Sequence, residues 1–285
     1  MSALVLDPAF ARSRALDALV SLDRLPSPGP VALRLASLAA ERDVALGEIV
    51  RALKCDGALT GRVLRIANSA SFARRPVAAL EDAVVRVGFA GIRRLALAFS
   101  VLECNRAGPC REFDYARHWS HSLARGVAAG RLAHATGRGS PDEAFSVGLL
   151  TGIGQLALAT AFPGAYGALL RRHPLADAAL LEAEETAFGA THVDLGRRML
   201  AAWGLPEPLL AAALPAIGAA PPPGTAAGLF AAAGAIADWC SELGLVPLAP
   251  ETGALCGIEA ACLDDLVADI GVEWATWKAE FRLQG

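Results

Sequence analysis

The sequence predicts an all-α protein, a two-lobed assembly of many helices, and three observations carry that prediction. Ala and Leu, the strongest helix formers, supply much of the apolar content, while Ile, Tyr and Thr are scarce. Apolar side chains recur with helical period along most of the chain. No convincing strand pattern or internal repeat interrupts them.

Composition bounds the rest. At 285 residues the chain is longer than one typical domain, yet short enough for a single two-lobed body with a large core. Its 54% hydrophobic and 19% charged residues exclude a disordered chain. A net charge of −3 gives no general attraction to nucleic acid or anionic lipid, so neither is an expected partner. The opening residues lack the basic stretch and long apolar run of a signal peptide, so a cytoplasmic location is expected. Residues 148–170 and 208–237 carry no charge, but Gly152, Gly154, Gln155, Pro163 and Gly164 interrupt the first. Pro208, Pro215, Pro221, Pro222 and Pro223 interrupt the second, and both read as buried helices and turns rather than membrane spans. Cys55, Cys104, Cys110, Cys240, Cys256 and Cys262 form no CxxC pair, so reduced, mostly buried thiols without a metal are expected.

In chain order, an amphipathic helix opens the protein to about Leu22. Leu25-Pro26-Ser27-Pro28-Gly29-Pro30 then forces a turn, because proline fixes φ and restricts the residue before it. Helices follow over about 31–40 and from about 45 to just before Asp56-Gly57. Leu59, Val63, Ile66, Ala67 and Ala70 put an apolar stripe on the next helix, which ends near Asn68-Ser69. Val85, Phe89, Ile92, Ala96 and Phe99 form another stripe, with Gly88 and Gly91 marking a break or a close helix contact. Residues 105–111, with Gly108 and Pro109, separate an N-terminal lobe (1–105) from a second lobe (106–285). There the pattern predicts helices over 113–136, 141–161, 177–188, 193–203 and 225–243, a loop over 214–224, and one or two helices over 258–281.

A succession of motifs then resembles the HDOD family, the HD-related output domains. It runs Leu25-Pro26-x-x-x-Pro30, Cys55-Asp56-Gly57-Ala58-Leu59-Thr60, Val63-Leu64-Arg65-Ile66-Ala67-Asn68-Ser69-Ala70 and Asp82-Ala83-Val84-Val85-Arg86-Val87-Gly88. The second lobe continues it with Trp119-Ser120-His121-Ser122, Glu143 to Leu150, Glu184, Phe188-Gly189, His192 and Trp203-Gly204-Leu205-Pro206-Glu207. The likeness spans roughly residues 20–240, and its strength lies in the order of the motifs rather than in any one of them. It implies an all-α fold whose second lobe is related to HD-domain phosphohydrolases. Those enzymes hold a divalent metal with a His, an adjacent His-Asp pair and a distant Asp, and the metal acidifies a bound water for attack on phosphorus.

Carried onto this chain, the resemblance puts His121 at the first ligand position and Asp238 at the last. The central pair falls at Thr151-Gly152, a poor neutral ligand followed by no side chain at all. Gln155 stands where many HD enzymes carry a lysine. No catalytic residue, metal or cofactor is therefore expected. His118 and His121, three residues apart on one helix, are read as packed, hydrogen-bonded histidines between the lobes. His192 is read as part of a helix start, Asp56 as a cap or turn, Asn68-Ser69 as a helix end, and Asp238 as paired with a cation or capping backbone. Arg62, Arg65, Arg74, Arg75, Arg86, Arg93 and Arg94 are the most suggestive surface feature. With Asn68 and Ser69, Arg62, Arg65, Arg93 and Arg94 are the candidate surface for a phosphate-bearing small ligand or a protein partner, against the plainer reading of a solvated, ion-paired face.

The function expected from the resemblance is a non-catalytic bacterial regulatory module of the response-regulator output type, acting through a signalling protein partner or a small ligand. Two alternatives stand beside it. One is a residual metal-dependent phosphohydrolase or phosphodiesterase built from His118, His121, His192 and Asp238. The other is a nucleotide-binding sensor without turnover, lined by the arginines.

Overall fold

The computed structural model describes residues 16–21, 25–27, 29–38, 45–68, 75–173, 178–215, 220–241 and 248–283, and no strand occurs among them. Residues 16–20 are helical, and from Pro30 onward come α1 (Pro30–Leu38), α2 (Leu46–Lys54), α3 (Gly57–Ala67), α4 (Leu80–Val87) and α5 (Phe89–Cys104). Then follow α6 (Tyr115–Thr136), α7 (Pro141–Leu150), α8 (Ile153–Ala161), α9 (Pro163–Arg172), α10 (Ala178–Phe188), α11 (His192–Ala202), α12 (Glu207–Ala213), α13 (Ala226–Ser241), α14 (Glu251–Cys256) and α15 (Ala260–Glu280).

Local chemistry sets the helix ends. Asp56 caps α3 by accepting the Leu59 N–H at 3.0 Å, as its position before a glycine suggested. Asp114 caps α6, Gly137 ends it at φ 64°, and Pro141 opens α7. Thr191 and Asp194 form a reciprocal capping box at the start of α11, with His192 as its first residue.

The helices α1–α5 pack on one another, and α6 is the central helix of the remainder, covered by α7, α13 and α15. The helix α5 also packs on α7, so the buried side chains form one continuous cluster across residues 105–111. Glycines allow the tightest crossings. A Cβ at Gly148 would lie 2.9 Å from the Arg125 carbonyl oxygen, and one at Gly154 would overlap the His192 carbonyl oxygen at 1.8 Å.

Several expectations change in detail. The stripe through Val85, Phe89, Ile92, Ala96 and Phe99 is not one face. Gly88 at φ 79° breaks the chain into α4 and α5 and resets the helical phase, leaving Val85 68% exposed while Ile92, Ala96 and Phe99 are fully buried. The helix expected over 141–161 is two, divided at Thr151-Gly152. The sequence pattern did not resolve α9, α12 and α14 as separate helices. Of the six cysteines, Cys55, Cys104 and Cys262 are exposed rather than buried. Among the described residues one stretch, Pro141–Ala161, is by length and composition apolar enough to cross a membrane, and 78% of its apolar window is buried inside the protein.

Candidate functional site

The close α6–α7 crossing brings the break between α7 and α8 against the face of α6 that carries His118, His121 and Arg125. The helix α13 packs on the same helix and adds Gly234 and Asp238, one turn apart. The glycine-to-backbone contact between α8 and α11 brings the start of α11, with His192, to the same end.

Within this group the His121 Nε2 lies 2.9 Å from the Asp238 Oδ1. One Arg125 Nη donates to the Thr151 hydroxyl at 3.1 Å, and that hydroxyl donates to the Gly148 carbonyl at 2.9 Å. The other Nη lies so near Gly234 that a Cβ there would be 2.7 Å away. The His118 ring covers Gly152, where a Cβ would come within 2.6 Å of its Cε1, and it packs on Phe113 and Trp119 at centroid distances of 5.0 Å. The expected hydrogen bond is not found at its Nε2, which is buried without a partner, as is the Arg125 Nε.

The electrostatics follow from this packing. Burial above all, with His121 and His192 nearby, pushes the His118 imidazole down to about 3. The hydrogen bond from His121 holds the Asp238 carboxyl below its usual range against some burial, and Arg125 and Arg117 assist. Burial lowers the Arg125 guanidinium, and the charge of Asp238 partly offsets that.

His192 is committed elsewhere. Its Nδ1 lies 2.7 Å from Glu184 Oε2, and its backbone N–H donates to the same oxygen at 2.8 Å. Tyr166 donates its hydroxyl to the other Glu184 oxygen at 3.1 Å. Glu184 is fully buried, and desolvation plus this carboxylate raise the Tyr166 phenol. Of the four residues in the residual-hydrolase alternative, then, His121 and Asp238 touch, His118 faces Gly152, and His192 binds Glu184. Gln155 lies in the first turn of α8, half-buried.

A divalent metal does not fit the residues present. The Thr151 hydroxyl is already engaged on both sides, the space beside Gly152 holds an imidazole ring, and the Arg125 guanidinium lies between Thr151 and Gly234. No group of three or more His, Cys, Asp or Glu able to hold a metal ion occurs among the described residues.

The expected arginine surface is largely not a surface. Arg62 is buried, ion-paired with Glu103, and its guanidinium stacks 4.2 Å from the Phe281 ring centroid. Arg65 lies over Trp277 at 5.1 Å. Arg94 is buried and binds Asp142 at 2.6 Å and Glu143 at 3.0 Å, joining α5 to α7. Arg93 is half-buried beside Gly204. Arg62 and Arg94 are thus internal cross-links, a role that depends on helices distant in sequence, while Arg65 stays exposed over its indole. Asn68 is also spoken for: its amide exchanges two hydrogen bonds of 2.8 Å with the Val77 backbone. Ser69 and Arg74 lie outside the described residues. Arg125 and Glu184 were missed as site residues. The spacing of Arg125, one turn beyond His121 on the same face, was the available signal.

The family model for the HDOD domain matches residues 25–215, so the chain belongs to the HDOD family. Among solved structures it is similar to MmoQ, a response regulator from Methylococcus capsulatus str. Bath, with 36% identity, a TM-score of 0.56, and coverage of 87% of this chain and 99% of that one. An HDOD domain protein of unknown function from Geobacter sulfurreducens is 23% identical with a TM-score of 0.63, covering 94% and 98% of the two chains. A Shewanella amazonensis SB2B protein described as a candidate phosphohydrolase is 23% identical with a TM-score of 0.64, covering 96% of each. The last two speak for the fold alone. The search of curated proteins returned no match.

Proposed function

We propose that this chain is a non-catalytic regulatory module of bacterial signal transduction, working in the cytoplasm by presenting a fixed helical surface to a signalling partner. The observation that carries the non-catalytic part is the pair Thr151-Gly152, with the His118 ring over the glycine and Arg125 on the threonine. An HD-type hydrolase needs a metal to acidify water, and neither residue offers it a ligand of the right kind. The signalling part is supported by HDOD membership and by similarity to a response regulator along nearly its whole length. A phosphate-bearing ligand at the arginines is the weaker reading, because Arg62, Arg65 and Arg94 already have partners.

The test is metal content and turnover together. Untagged protein purified without chelators is analysed by mass spectrometry for zinc, manganese and iron, then assayed on a chromogenic phosphodiester with added manganese. Negligible metal and no turnover are expected. Near-stoichiometric metal with turnover that is lost in His121→Ala would overturn the proposal.

A further inference from the structure

We infer that Arg125 is a cation built into the protein at the place where an HD-type site would hold its metal. Three positions carried over from that site meet at the junction of α6, the α7–α8 break and α13: Thr151 is buried there, His121 is half-buried, and Asp238 stands at the exposed rim. The Arg125 guanidinium lies in that region: it donates to Thr151 and lies against Gly234, one turn before Asp238 on α13. His121 completes the link by its contact with Asp238. The small residue at 234 matters, since any side chain there would displace the guanidinium.

A metal in such a site does two things. It ties ligands from separate helices together, and it supplies an acidified water. A guanidinium can do only the first. It carries a permanent charge and a planar fork of donors, but it has no open coordination position at which to ionise water. The arrangement therefore keeps the three-helix junction that a metal would have cross-linked and leaves out the chemistry. It also excludes a returning divalent ion, because the guanidinium fills the space and its charge repels a second cation. This inference rests on the reading that the metal centre is absent, and it adds what has replaced it.

The experiment compares wild type, Arg125→Met and Arg125→Lys in the full chain by thermal melting, each with a chelator and with added manganese or zinc. Methionine keeps the length without the charge, whereas lysine keeps the charge without the fork. The wild type should melt alike in chelator and metal. Arg125→Met should lose several degrees, or fail to fold, and Arg125→Lys should recover a clear part of that loss. If Arg125→Met melts with the wild type, or if lysine is no better than methionine, the built-in cation is wrong while the non-catalytic reading stands. If divalent metal stabilises the wild type over chelator, both fall.

Discussion

At the scale of single residues, the buried carboxylate of Glu184 and the buried imidazole of His118 make opposite demands on the solvent. Glu184 is satisfied internally by His192 and Tyr166, so removing it leaves those buried groups without their partner. Glu184→Ala should destabilise the fold by roughly 3–5 kcal/mol, read as a shift in the urea midpoint. Glu184→Gln, which keeps an acceptor, should lose less.

His118 titrates at its ordinary 6.5 when the chain unfolds but only at about 3 when folded. Between those values the unfolded state binds the extra proton, so stability should fall as pH drops from 6.5 toward 3 and be insensitive to this residue above that window. Asp238, depressed in the native state, loses stability in the same direction, so the comparison needs a variant. Urea midpoints across this range should decline less steeply in His118→Gln than in the wild type. An equal slope in the two proteins would remove His118 as the cause. That His121, Thr151, Gly152 and Asp238 lie near one another was legible from the resemblance, and the fold brings them to one junction. The role of Arg125 was not, because it arises only where α6, α7 and α13 meet. Arginines repeated in the sequence look like a solvated face, and nothing local distinguishes one that ends up beneath an aromatic ring.

At the scale of elements, helical period and capping residues placed most helices within a few residues, because those signals are local. What escaped were the short helices α9, α12 and α14, which hold too few turns to show a stripe, and the division at Thr151-Gly152. Buried apolar side chains continue on both sides of that break, in α7 and in α8, so periodicity does not show where one helix ends and the next begins. The fold there depends on small residues rather than on a hydrophobic pattern. Gly154→Ala should force α8 and α11 apart and lower the melting temperature by several degrees, since its Cβ would strike backbone. Gly164→Ala in α9, where a Cβ meets nothing within 4 Å, should be neutral or stabilise by about 1 kcal/mol. Melting the two variants side by side separates close approach from helix propensity.

At the scale of the whole molecule, α15 is the strap that joins α6 to the first helices. Its middle is held to α6: Arg131 pairs with Asp269 at 2.8 Å, and the Trp274 indole donates to the Ser120 carbonyl at 2.9 Å. Its last turns and the following residue lie on the first helices. Trp277 stacks on Phe99 at 5.5 Å, and Phe281 covers Arg62. Trp277→Ala should destabilise the protein by about 3–5 kcal/mol. Amide exchange should quicken in α5 as well as in α15, because both rely on the same aromatic cluster. Faster exchange confined to α15 would show that the strap is dispensable to the rest. Tertiary pairing of this kind joins residues some two hundred positions apart and leaves no trace in local pattern.

The same strap sets an order on biogenesis. Each surface that α15 covers is synthesised before α15 itself, so a nascent chain that has passed α5 must wait for nearly all of the remaining sequence before Phe99 and Arg62 are enclosed. Until then it presents an uncovered aromatic patch to the ribosome surface and to chaperones. A chain stalled near residue 215, where the family match ends, would have every motif that identifies it and still lack the segment that closes its core.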